Sequence, residues 1–257
     1  MGVSSIVKQF NYDFMKKNKE SINVLDQEVE TYYISDDIDK SIITDLRFDT
    51  LMTQTPTVEN KQHTKGSRRM FENPFLEKLT HTHIAIPLIF FSMYAIALLY
   101  WSYDHQYLSF IYTALVFLSG VLLFTLVEYL MHRYLFHLPP TSKFNEKVAY
   151  KIHGIHHDYP KDKDRLAMPP ILSIILSTLF LLLFKAIMGN AGLAFTAGFV
   201  VGYSAYLSIH FIIHAYIVPK NVFKVLWIHH SIHHYKKTDK AFGVSSPLWD
   251  YVFRTMP

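Results

Sequence analysis

Four long stretches of this chain hold no Asp, Glu, Lys or Arg at all: residues 79–103, 105–127, 166–184 and 186–219. An α-helix needs about 20 apolar residues to cross the hydrocarbon of a bilayer, and charges placed there are costly. The pattern predicts membrane spans near residues 84–103, 107–130, 169–187 and 192–213. The joins Asp104-His105-Gln106 and Met188-Gly189-Asn190 leave room only for tight turns. The spans therefore form two hairpins with both tips on one side, and the fold class expected is an all-α integral membrane protein.

Everything else falls on the opposite side. The loop 132–168 holds seven basic residues against four acidic, and the tail 215–257 six against two. Lys185 is the one basic residue near the tips. The positive-inside rule then puts both termini and the large loop in the cytoplasm. Before the first span, Met70, Phe71, Phe75, Leu76 and Leu79 alternate with charges, which predicts an amphipathic helix at the membrane surface. Residues 1–70 carry 11 acidic and 10 basic residues and no long apolar run. They are expected to form a partly ordered cytosolic segment ahead of a membrane domain spanning residues 71–257. The opening MGVSSIVKQFNYDF lacks the apolar core of a secretory signal. A net charge of only +4 and the absence of nucleic-acid motifs argue against a nucleic-acid partner.

The chain has no cysteine, which rules out disulfides, thiolate nucleophiles and cysteine-held clusters. It has 15 histidines, and ten of them fall at four places near span ends. His132 and His137 close the second span. His153, His156 and His157 follow in the loop. His210 and His214 end the fourth span, and His230, His233 and His234 stand in the tail. Positions i, i+3 and i+4 share one side of a helix, so each HxxHH triplet is expected to present three nitrogens together. His132 and His137 are five apart, and an α-helix splays such a pair by about 140°. The helix is therefore expected to unwind between them, close to Pro139-Pro140.

A lone interfacial histidine is ordinarily just a polar group at headgroup level, but four clusters at one membrane face are not explained that way. Ten imidazoles exceed one coordination sphere, so two ions are expected, of iron, copper, zinc or nickel. His81, His83 and His105 are expected to be bystanders, as is His63. His229 lies off the face shared by its neighbours. Glu128, the only carboxylate in the spans, stands four residues before His132 and is expected to accept a hydrogen bond from it. Tyr134, Phe136, Tyr159 and Trp227 are candidates to line the site, with Lys161 and Arg165 as weaker candidates to meet a headgroup.

The clusters HxxxxH, HxxHH, HxxxH and HxxHH resemble those of the sterol desaturase and fatty acid hydroxylase superfamily. Three segments narrow the resemblance to the fatty acid 2-hydroxylases: FENPFLEKLT, HGIHHDYPKDKDRLAMPP and HHYKKTDKAFGVSSPLWDYVFRT. It runs from about residue 70 to the end.

The resemblance implies four transmembrane helices under a cytosolic helical cap that holds a di-metal site. It implies all ten clustered histidines as ligands of two iron ions, with zinc able to enter in isolated protein, and O2 as cosubstrate. The implied reaction is hydroxylation at carbon 2 of a long or very long acyl chain, free or in a sphingolipid, in the endoplasmic reticulum of a eukaryote. Sterol or alkane hydroxylation or desaturation is the alternative within the superfamily. A metal transporter fits less well, because the histidines stop at one face; a zinc hydrolase would need an O2-independent reaction and an open water position with a nearby base. Residues 1–70 lack the HPGG haem motif that many such enzymes carry in a fused cytochrome b5 domain. A separate electron donor, a cytochrome b5 with its reductase, is therefore expected. Two departures stand in the tail: AFGVSS replaces GFGVTS, and Arg254 replaces a glycine.

Overall fold

The computed structural model describes residues 67–257. The readings made for residues 1–66, including His63, lie outside the described residues.

Helix α1, Pro74–Leu79, begins where Asn73 accepts hydrogen bonds from the N–H groups of Phe75 and Leu76, with Pro74 in the first turn. Its Glu77 accepts from the N–H groups of Met70 and Phe71 at 2.8 and 2.9 Å and pairs with Arg165. Burial opposes ionisation of Glu77, but the Phe71, Arg165 and Met70 hydrogen bonds outweigh it and hold the carboxyl at about 2. Arg165 also bonds Ser67, Thr80, His81 and Asp162, so the guanidinium considered for a headgroup is committed to clamping this segment.

The four expected spans are present as α2, Ala85–Asp104; α3, Phe110–Leu130; α6, Pro170–Met188; and α7, Ala191–Ala215. All are long and apolar enough to cross a membrane, and the chain is a multi-pass membrane protein. Gln106 and Gly189 adopt φ of 50° and 60° to turn the two hairpin tips. Half of the apolar window of α7 is buried inside the protein, against 28 % or less for the other three, so α7 is the hub.

Two glycines make that possible. A Cβ on Gly198 of α7 would sit 1.9 Å from the Phe117 carbonyl oxygen, and one on Gly120 of α3 would sit 2.2 Å from that of Phe195. The two backbones therefore touch, as small residues allow between membrane helices. Phe91, Ala95 and Leu98 of α2 pack on Leu193, Ala197 and Val200 of α7. Phe124, Phe184 and Phe199 join α3, α6 and α7. Ile86, Ile89, Met93 and Ile96 remain exposed as a lipid-facing surface.

The cap adds α4, Lys143–Ala149; α5, Ile155–Asp158; α8, Lys224–Tyr235; and α9, Leu248–Val252. Two π-helical segments interrupt the α geometry. Met131–Phe136 continues α3, and Tyr150–Gly154 joins α4 to α5. The helix widens over Met131–Phe136 and then ends before His137, so the expected break between His132 and His137 is present but follows a π-helical turn. His137 stands just past that segment with φ of -106° and ψ of 46°, and there its ring joins the same histidine group as His132.

Candidate metal centre

All ten clustered histidines come together, in two groups of five. Site A comprises His132, His137, His153, His157 and His233; site B comprises His156, His210, His214, His230 and His234. Within each group, one nitrogen per ring lies within 4.8 Å of every other. In site A the Nε2 atoms of His132 and His153 are 3.0 Å apart, and those of His137 and His233 are 2.9 Å apart. In site B, His210 Nε2 lies 3.1 Å from those of His156 and His214, and His214 Nε2 lies 2.9 Å from that of His230.

The grouping refines the expectation that each HxxHH triplet presents three nitrogens together: each triplet is shared between the two sites. His153 and His157 face site A while His156 faces site B; His230 and His234 face site B while His233 faces site A. On a helix, i and i+4 lie nearly in line and i+3 is turned away from i+4 by about 100°. The π-helical segment Tyr150–Gly154 together with α5, and the helix α8, each lie between the two sites and divide a triplet, in opposite senses.

Electrostatics favour neutral rings. Burial pushes His137 down to about 4 and His233 to about 3. Burial, followed by repulsion from neighbouring imidazoles, lowers His153, His156, His157, His230 and His234 well below the ordinary range. Neutral imidazole is the form that binds a metal. In site A the tautomer is also set. His132 Nδ1 donates to the Phe242 carbonyl at 2.5 Å, and His233 Nδ1 donates to the Lys240 carbonyl at 2.7 Å. A carbonyl only accepts, so each neutral ring keeps its Nε2 lone pair for the cluster. The buried Nε2 of His157 has no hydrogen-bond partner in the protein. A cation among the converging nitrogens satisfies such a set, and the residues fit a metal pair.

Glu128 does not reach His132 as expected. Its Oε1 accepts the N–H groups of Val244 and Ser245 at 2.9 Å each, and its Oε2 meets the Ser245 hydroxyl. It supports the site through the tail loop instead, since Phe242 of that loop receives His132. The larger support went unread in the sequence. Asp250, wholly buried, accepts from His229 Nε2 at 3.0 Å and from the N–H groups of Phe242 and Gly243 at 2.9 and 2.7 Å. Burial opposes its ionisation, but the His229 bond leads a set that lowers its pKa. The signal available was a lone acid among apolar residues in SPLWDYVF. His229 itself lies outside both groups, as do His81, His83 and His105. Phe136 stacks on His153 at 5.0 Å between ring centroids, and Trp227 donates to the Tyr216 carbonyl.

A model of the family described as fatty acid hydroxylase matches residues 117–255, the stretch that carries every histidine of both sites. A dihydroceramide fatty acyl 2-hydroxylase of Arabidopsis thaliana is 36 % identical over 191 residues, covering 74 % of this chain and 80 % of that protein.

The chain belongs to the fatty acid hydroxylase family.

This hydroxylase is also 36 % identical over 208 residues to a ceramide very long chain fatty acid hydroxylase of Saccharomyces cerevisiae, covering 76 % of this chain and 51 % of that one. The solved hydroxylase domain of scs7p superimposes with a TM-score of 0.68 at 34 % identity, covering 75 % of this chain and 73 % of that chain. The two paired histidine clusters of this hydroxylase are compatible with metal binding.

Proposed function

We propose that this hydroxylase inserts one oxygen atom at carbon 2 of a long or very long acyl chain, carried in a ceramide-type sphingolipid or free. The observation that carries the reading is the pair of five-histidine clusters at the ends of membrane spans, in a chain that aligns with most of a dihydroceramide fatty acyl 2-hydroxylase. Sites A and B each hold one iron through Nε2 nitrogens, with all ten histidines as ligands. Bound iron supplies the redox chemistry that O2 and an unactivated C–H bond require. The balance is C–H, O2, two electrons and two protons in; C–OH and water out. The electrons come from a separate cytochrome b5 and its reductase.

The protein's own part is placement. Burial keeps the rings neutral, and the carbonyls of Phe242 and Lys240 aim His132 and His233. The cap excludes water, and its place at the span ends lets an acyl tail arrive sideways from the bilayer. The positive charge of the loop and tail supports a cytoplasmic cap with both termini on that side, in the endoplasmic reticulum if the source is eukaryotic.

The test is lipid mass spectrometry under labelled O2, on cells expressing the protein with a competent electron donor, beside a His153→Ala/His157→Ala double variant. The expected product is a 2-hydroxyacyl lipid carrying one labelled oxygen, made only by the intact protein. Unlabelled product, or unchanged acyl lipids with good expression, overturns the assignment and turns attention to sterols and alkanes.

A further inference from the structure

One buried carboxylate lies behind site A without belonging to it. Four donors saturate Asp250: Phe242 N–H and the Thr255 hydroxyl, at 2.9 and 2.7 Å, on Oδ1; Gly243 N–H and His229 Nε2, at 2.7 and 3.0 Å, on Oδ2. Because Thr255 donates to the carboxylate, it accepts from Tyr129, 2.8 Å away, and Tyr129 accepts from Arg133 at 2.9 Å. One directed chain thus ties the end of α3 to α9. The loop it steadies is turned at Ala241, whose φ of 58° lies between the two residues whose carbonyls hold His233 and His132. Ala241 N–H donates to the Thr255 carbonyl at 2.9 Å.

We propose that Asp250 is a positioning residue for site A alone. It acts through the Phe242 carbonyl on His132 and through the Lys240 carbonyl on His233. The proposal rests on the reading that each cluster holds one ion. Site B is anchored differently: His210 and His214 ride on the end of α7, and His230 rides on α8.

Asp250→Asn keeps the shape and reverses the polarity of one atom. Whichever way the amide turns, the N–H of Phe242 or of Gly243 meets another N–H. Lost support of this kind weakens a metal site about 10–100-fold.

The experiment loads purified full-length protein with ferrous iron without oxygen and counts ions per chain, with helicity and thermal midpoint measured alongside. Wild type is expected to hold two ions and Asp250→Asn one. His214→Ala, which damages site B, is also expected to hold one. The double variant Asp250→Asn/His214→Ala is expected to hold none. Thr255→Val removes one of the four bonds and adds no donor; it is expected to weaken the same single ion more mildly, which decides the matter if Asp250→Asn fails to fold. A double variant that keeps one ion assigns the effect to site B and overturns the proposal. So does an Asp250→Asn or Thr255→Val protein that keeps two ions at wild-type affinity, or loses both together with its helicity. Wild type holding fewer than two ions overturns the two-ion reading first, and the proposal with it.

Discussion

Sites A and B bring together five histidines each, yet they are built differently. Four of the five site B histidines ride on α7 and α8, two regular helices. The Nδ1 atoms of His210 and His230 have no hydrogen-bond partner among the described residues, and Tyr206 stacks on the His210 ring at 5.5 Å between centroids. Site A draws His132 and His153 from π-helical segments, and backbone carbonyls of the loop that follows α8 hold His132 and His233. Site A thus has a brace from outside its helices, even for His233, which leaves the regular helix α8. Glu128 and Asp250 are that brace, one on the span side of the loop and one on the tail side.

The largest expected effect would show whether the sites are separable at all. Gly198→Ala places a methyl against the Phe117 carbonyl and pushes α3 from α7, which carry His132 and His210. Overpacking of this kind costs about 1–3 kcal/mol or more. The variant should lose thermal stability and both ions together; loss of one ion alone would break the view of α3 and α7 as a common base. Next in size, His233→Ala and His214→Ala should each abolish hydroxylation while each retains one iron. Equal loss of both ions in either variant would mean that the clusters do not act as separate sites.

Smaller again, Glu128→Gln should lower iron affinity at site A about 10–100-fold, as lost support of a ligating histidine does. Binding isotherms should show one weakened site, and two unchanged sites would remove Glu128 from the brace. The smallest effect is a gain. A non-glycine residue in the left-handed region costs about 1 kcal/mol, so Ala241→Gly should raise the thermal midpoint slightly with both ions retained. An unchanged or lower midpoint would mean that the buried methyl repays the strain.

That last case shows where sequence reading stopped. The spans were legible because a charge-free run of this length has few other fates, and the ten histidines because they cluster at span ends, eight of them at helical spacings. Which histidine serves which site was not legible. It depends on α5 and α8 lying between two points, and a local pattern does not encode that. The π geometry at His132 was likewise hidden, since no residue type marks it. The two departures from the family pattern, Ala241 and Arg254, looked unrelated; both prove to stand at φ 58°, where glycine is the easy choice. The partner of Glu128 was misplaced because a neighbour four residues away looked sufficient. The true partners lie 116 and 117 residues on.

Those separations also set an order in time. The nitrogen pairs of site B join residues 4, 16 and 54 apart. Site A joins residues 21 and 96 apart, and the contacts that brace it from the end of the second span reach 110 to 126 residues on, while His233 meets Lys240 only 7 residues on. Short loops close sooner than long ones, and non-local contacts are the slow step of folding. During synthesis, the end of α3 must therefore wait in the membrane, its histidines unbraced, until more than a hundred further residues have emerged. Both sites wait for α8 of the tail, which brings His230 and His234 to site B and His233 to site A, and the brace of His132 closes only when the loop beyond α8 reaches it.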